Sequence, residues 1–393
     1  MRKMTGGSAA DAQSILDNVG EIACEFASQR SERQRRRGLQ NEDFDRLKES
    51  GYPLVAVPTE FGGIWEGDNV GTRKVCEILK TLAQGDSSIA LVSAMHPAVI
   101  GSAGWSTIST APEPYTKAWE EQRDWAFQTA REGHFWGTIM SEPGSGGDNT
   151  QSTSGARLAE DGSHYQISGQ KHFGSGSGMT SFMVTHAVPE GETSPDTFVL
   201  DMRNADWDGS SGVELVAAWD GHGMTSTQSH RMLFENFPAT RLAFPGDERR
   251  KIIAGMDRPQ GAFFVAVITG IVEVAVATAR QQLDSKHHRM RSYEEVEWAK
   301  VEIEAWMVQQ SYEGMLREVE RGSAPARNTL LAKEAVAELA ESLLLRISKV
   351  IGGGSYSRHA PYGFWLEDVR ALGFLRPPWA LAYERVFQGS WDT

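Results

Sequence analysis

The chain has 393 residues, enough for two or three domains with their own cores. Hydrophobic residues make up 40% and charged residues 23%, the balance of an ordinary globular chain, and a net charge of −13 makes nucleic acid and anionic membranes poor bulk partners. Two cysteines, Cys24 and Cys76, do not build a disulfide framework; they fit a reducing cytoplasm and both read as packing residues.

No apolar run reaches the roughly 18 residues of a membrane span. Residues 1–10 are polar and lack the apolar core of a signal peptide, so a cytoplasmic location is expected. Twelve tryptophans suggest large apolar surfaces facing a ligand or a second subunit.

Residues 10–27 carry Ile15, Val19, Ile22 and Phe26 at helical spacing and predict a helix. The basic stretch 28–38 reads as a solvated turn. Residues 41–51 predict a short helix with Asn41 as cap and Gly51 as stop. Residues 52–57 read as extended and lead into the turn Pro58-Thr59-Glu60-Phe61-Gly62-Gly63. A helical stripe covers 70–84, and Asp86 or Ser87 caps a further helix that runs through His96. His96 has two readings of equal weight: a helix histidine packed near Pro97, or a functional imidazole.

From 137 to 238 the texture changes. Alternating runs at 165–167, 181–188, 197–202, 213–216 and 229–234 predict an antiparallel β-domain of short strands. Two Gly/Ser/Thr-rich loops, 142–148 and 174–178, flank the first run, and Asp161-Gly162 signals a hairpin. Composition alone reads the loops as ordinary polar turns. Yet small residues let backbone approach a flat or anionic ligand, and their hydroxyls and N–H groups can bond a ring edge or a phosphate. Beyond 250 the chain returns to helix: 261–285 around Gly270 and Ala279, the Glu-rich 294–318, 326–351, and a last helix after Pro377-Pro378. Helical ends enclosing a β-domain place a ligand cleft at their junction.

The order Met140-Ser141-Glu142-Pro143-Gly144-Ser145-Gly146-Gly147-Asp148, then Asp161-Gly162, then Gly169-Gln170-Lys171-His172-Phe173-Gly174-Ser175-Gly176 resembles the middle β-domain of the acyl-CoA dehydrogenase superfamily. The turn at 58–63, the helix start at Asp86, the stretch 219–227, the step 234–239, and 350–356 with Asp368-Val369-Arg370 resemble further segments of that family. The resemblance implies an α+β fold: an N-terminal helical domain over 1–135, a middle antiparallel β-domain over 136–240, and a C-terminal four-helix bundle over 241–393. It implies a flavin, FAD first with FMN as the alternative, bound by Met140, Ser141, Gly146, Gly147, Phe173, Ser175, Gly352 and Gly353. Ser141 and Ser175 are expected to donate to the isoalloxazine edge, with Phe173 against the ring. In register from Gly270 and Ala279, Lys286 and Arg289 stand where the family holds the cofactor tail. Their basic run reads as a phosphate contact or as a solvated helix end favoured by the macrodipole.

The family pattern breaks at its base. The Glu expected eight residues after Asp368 is Arg376, which is never deprotonated in a protein. The alternative position on the apolar helix is also empty, since Asp257 is the only carboxylate between Arg249 and Gly270. Arg376, His96 and Asp257 are therefore the candidate catalytic groups. Arg376 is expected to bind a substrate carbonyl or carboxylate, or else to pair with Glu367 or Asp368.

The resemblance implies a flavin-dependent oxidoreductase acting on an acyl-CoA or related thioester, with a non-standard base and oxygen-dependent chemistry. A second reading is a two-component monooxygenase that takes reduced flavin from a flavin reductase and uses it with O2 on a small aromatic substrate; the substrate expected across these readings is a CoA thioester or an aromatic acid. A third is a non-catalytic partner subunit. A homodimer or homotetramer is expected, with no nucleic acid, membrane or metal.

Overall fold

A computed structural model describes residues 11–254, 260–322, 326–375 and 377–391. Two of the candidate catalytic residues, Asp257 and Arg376, lie outside these described residues.

The N-terminal part is helical. Helix α1 (Ala12–Ser28) is capped by Asp11, whose carboxylate accepts from the N–H groups of Gln13 and Ser14, and it buries Ile15, Val19, Ile22 and Phe26. The stretch expected as a solvated turn instead holds α2 (Arg30–Arg33) and a buried Arg33 that pairs with Asp43 at 2.7 Å and Asp86 at 2.8 Å. A guanidinium can be buried here because two carboxylates and their hydrogen bonds compensate its lost hydration. In α3 (Asn41–Glu49) the cap position belongs to Gln40 rather than Asn41, and Gly51 with a φ of 85° follows the end. Residues 52–57 are not extended: Tyr52–Leu54 form a 3-10 turn, with Pro53 fixing φ and the buried Tyr52 hydroxyl donating to the Ser93 carbonyl at 2.8 Å. Helices α4 (Asp68–Gly85), α5 (Ser87–Ala103) and α6 (Thr116–Arg131) follow. Asp86 is the cap of α5, accepting from Ile89 N–H at 3.0 Å.

The middle part contains β1 (Trp136–Thr138), β2 (Gly155–Leu158), β3 (Tyr165–Gly174), β4 (Phe182–Pro189), β5 (Asp196–Asp201), β6 (Val213–Ala217) and β7 (His230–Arg241). Pairing runs β4–β2–β3–β7–β5 and returns to β4, closing a small barrel with β1 beside β4 and β6 beside β7. Closure leaves only the outer edges of the short strands β1 and β6 unpaired among the described strands. The domain is not wholly antiparallel, because β4 runs parallel to both β1 and β2.

Two strands are longer than their alternation suggested. β3 continues from Ile167 through Lys171 to Gly174. β7 continues past Phe234 to Arg241, with an extra residue near Asn236, whose φ is 53°. That bulge lets Phe237 and Ala239 return to the core face after Phe234.

The C-terminal part holds α7 (Asp247–Ala254), α8 (Gln260–Leu283), α9 (Ser292–Arg321), α10 (Ala326–Ile351), α11 (Tyr362–Val369), α12 (Ala371–Phe374) and α13 (Trp379–Gln388). By length and composition α8 could cross a membrane, contrary to the sequence reading, but 67% of its most apolar window is buried inside the protein. It behaves as a core helix: Val265, Ile268 and Ile271 share one apolar core with Val75 and Leu79 of α4 and Leu343 and Ile347 of α10. At Gly270 a Cβ would stand 2.3 Å from the Lys80 carbonyl, so α4 and α8 approach closely only without a side chain there. Cys76 is buried in this core, whereas Cys24 is exposed and not a packing residue.

Candidate functional site

The two expected loops meet at one end of the barrel. Backbone joins them first: His172 N–H donates to the Ser141 carbonyl at 2.7 Å, forming an isolated bridge between the loop and β3. One residue further in on each side, Lys171 and Glu142 form an ion pair at 2.5 Å, with side chains 0% and 3% exposed. The Glu142 carboxylate also accepts from Ser152 Oγ, Thr153 Oγ1 and N–H, and Ser154 N–H. Burial pushes this carboxyl up, but Lys171, Ser152 and the Thr153 N–H outweigh it and hold the group down at about 2. Lys171 Nζ donates as well to the His186 carbonyl on β4.

Beyond this anchor the first loop is glycine-rich. Gly144, Gly146 and Gly147 all have positive φ, and open space surrounds the Cβ directions of Gly144 and Gly146. A Cβ at Gly147 would stand 2.8 Å from Pro378, so the entrance to α13 rests on this loop. Met140 is half-buried against the Trp136 side of the core.

The second loop turns sharply after Lys171. Phe173 has a φ of 57°, rare for an aromatic residue, and its ring is 55% exposed. Its neighbour is Trp219, edge to face at 6.1 Å. Trp219 is fixed in turn, its backbone N–H donating to His230 Nδ1 at 2.9 Å and its indole N–H to the Met224 carbonyl at 2.9 Å. Nε2 of His172 is buried with no hydrogen-bond partner among the described residues. Backbone strain at Phe173 and an unsatisfied buried nitrogen at His172 thus stand at adjacent positions of this turn.

Ser175 is buried, and its Oγ lies 2.8 Å from Ser229 Oγ, which lies 2.7 Å from Thr227 Oγ1. Thr227 spends its one hydroxyl proton on the Met224 carbonyl at 2.9 Å. Ser229 must therefore donate to Thr227, and Ser175 to Ser229. The expected donor Ser175 is thus left with acceptor capacity only.

The stretch 219–228 is clamped by both helical parts. Asp368 accepts from Met224 N–H at 2.5 Å and from Ser87 Oγ, and burial pushes its carboxyl up to about 6 against those two bonds. Thr225 Oγ1 donates to the carbonyls of Gln34 and Arg36.

His96 is corrected to the structural reading. It is fully buried, its Nε2–H donates to the Pro53 carbonyl at 2.8 Å, and its Nδ1 accepts from Trp136 N–H at 3.1 Å. Burial pulls the imidazole down to about 4, so it stays neutral with both nitrogens occupied. Lys286 and Arg289 are exposed on the turn between α8 and α9, where Arg289 contacts His288. Gly352 and Gly353 end α10, next to Tyr356, which is 96% exposed. The hydrogen bonds of these four residues stay within their own turns and the adjoining helix ends.

Sequence reading missed the Glu142–Lys171 pair, Ser229, Thr227 and the role of Asp368. The signal for Lys171 was present: Ile167, Gly169 and Lys171 keep one strand face, so a lysine there points into the barrel and needs a buried carboxylate.

Residues 137–237 match the model of the acyl-CoA dehydrogenase middle domain. A probable FMNH2-dependent monooxygenase, SfnC of Pseudomonas putida, is 26% identical over 264 residues, 66% of this chain and 60% of that protein. The match thus spans less than two thirds of that relative's length. The putative acyl-CoA dehydrogenase YdbM of Bacillus subtilis is 20% identical over 92% of each chain. Among solved structures, FMN-bound TdsC from Paenibacillus sp. A11-2 superposes with a TM-score of 0.79 at 20% identity, covering 96% of this chain and 97% of that one. The chain thus carries an acyl-CoA dehydrogenase middle domain over residues 137–237 and has an acyl-CoA dehydrogenase-like fold from end to end.

Proposed function

We propose that this chain is a flavin-dependent monooxygenase that uses reduced flavin, FMN in preference to FAD, and dioxygen on a small organic substrate. The observation that carries the reading is the exposed, left-handed Phe173, one residue beyond the Ser141–His172 bridge that ties its turn to the start of the open glycine loop. A flat ring fits that set: Phe173 and Trp219 offer aromatic surface, and the glycines room for close approach. Bound there, reduced flavin would supply the electrons that activate dioxygen.

The chain's own residues do the rest. Glu142 and Lys171 hold the two loops in register, and Ser175 presents an acceptor lone pair. The bonds from Trp219 to His230 and Met224 fix the half-buried indole beside Phe173. No carboxylate stands on α8 from Gln260 to Gly270, and arginine replaces the Glu of the dehydrogenases at position 376. Oxidising a thioester at its α-carbon needs a base to take the α-proton, and neither of these two positions supplies one. The SfnC and TdsC similarities favour the same direction, and a partner flavin reductase follows from a need for reduced flavin.

The substrate class is a small aromatic or similarly apolar molecule. Exposed Val296, Ile303, Trp306 and Met307 on α9 support a homo-oligomer formed through these helices.

The test is an oxygen-consumption assay with NADH, FMN and a flavin reductase over a panel of small aromatic substrates. Substrate-dependent oxygenated product is expected. Bleaching of protein-bound flavin by an acyl-CoA without reductase would instead establish the thioester dehydrogenase.

A further inference from the structure

We propose that the Glu142–Lys171 ion pair is a positioning device that fixes the spacing of the two flavin loops. The inference rests on the flavin reading above.

The pair sits one residue behind the bridge between Ser141 and His172, so it lies directly under the ligand-facing surface. Its reach is wide. Glu142 collects the start of β2 through Ser152, Thr153 and Ser154, while Lys171 ties β3 to β4 through the His186 carbonyl. Four pieces of backbone thus converge on two side chains: the glycine loop, the approach to β2, the end of β3 and the middle of β4.

The chemistry is an uneconomical way to hold a core. Removing both charges from water costs about as much as their attraction returns, so an apolar pair of similar volume would serve stability equally well. What a buried ion pair adds is geometry: the carboxylate is usable only where all its donors meet. Register matters at this point. Phe173 follows Lys171 by two residues with a φ of 57°, and the β3–β7 register shifts between Lys171 and Gly174. Any slip at residue 171 therefore moves Phe173 away from the glycine loop. Reversing the pair would fail for the same reason. An ammonium at 142 would face the N–H groups of Thr153 and Ser154, which are donors.

The test compares native protein with the double variant Glu142→Gln/Lys171→Met, reading thermal midpoint, FMN affinity and amide exchange. The expected result is a folded variant whose midpoint lies near native, whose FMN affinity falls at least about tenfold, and whose amides at 143–148 and 174–178 exchange faster. An unchanged affinity and exchange pattern, or a fall in midpoint alone, overturns the proposal.

Should the double variant not fold, Thr153→Val removes one donor to Glu142 and leaves the ion pair. It is expected to speed exchange at 143–148 at a native midpoint, and unchanged exchange there overturns the proposal. Native protein that binds no FMN would overturn the flavin reading instead, because the exchange rates report the clamp without any flavin.

Discussion

The two ends of the expected cofactor site are built differently. At the ring end, the loops at 140–148 and 172–178 are held by a buried ion pair, a backbone bridge and the clamped stretch 219–228. At the tail end, Lys286 and Arg289 lie exposed on a short turn whose hydrogen bonds stay within it. A preformed surface binds without the entropy cost of ordering side chains, whereas long exposed cations must be immobilised at about 0.5–1.5 kcal/mol each. If the proposed site holds flavin, the difference within one chain is that the ring end is organised by buried contacts and the tail end is not. Such a balance suits a flavin that arrives, reacts and leaves.

The largest expected effect breaks the ring end. Glu142→Ala leaves the Lys171 ammonium buried and uncompensated, and should cost about 3–5 kcal/mol of stability. Thermal unfolding checks this against Lys286→Ala, which should unfold like native protein.

The pH dependence of the clamp is next. Burial raises the Asp368 carboxyl from 3.8 to about 6, so the folded state binds its proton more tightly than the unfolded state does. The resulting stabilisation is full below pH 3.8 and is lost as pH rises through 6, amounting to about 3 kcal/mol. Glu142 acts with the opposite sign, since its lowered carboxyl loses its contribution as pH falls from 4.5 toward 2. Unfolding free energies measured between pH 4 and 7 should show the Asp368 component, and Asp368→Asn should flatten it.

The smallest effect lies at the tail. Lys286→Ala with Arg289→Ala should weaken FMN binding only a few-fold, with a salt dependence, because exposed cations are screened. Titrations of FMN and riboflavin at two salt concentrations check it. A large loss for FMN alone would show that the tail end is organised after all.

Much of this site was legible in the sequence. Both loops and the hairpin at Asp161-Gly162 follow from small residues and local turn signals, which are properties of short stretches, whereas Phe173 was singled out only by the family resemblance. The Asp86 cap was legible for the same reason. Lys171 escaped notice because its meaning depends on Glu142, 29 residues earlier, brought beside it only by barrel closure. The direction of the Ser175 proton was equally hidden, since it is set by Ser229 and Thr227 across the loop. His96 was ambiguous in sequence because a helical histidine looks the same whether its ring meets substrate or the Pro53 carbonyl. The basic stretch at 28–38 misled through composition: Arg33 is charged, but Asp43 and Asp86 pay for its burial.

The central claim is that the ring end is a surface for reduced flavin reacting with dioxygen. Its most direct test is stopped-flow mixing of photoreduced FMN with oxygenated buffer, with excess native protein or excess Phe173→Ala. The account predicts that native protein changes the rate and spectral course of flavin reoxidation, and that Phe173→Ala returns both toward those of free flavin. Reoxidation in native protein that matches free flavin at every protein concentration would contradict it.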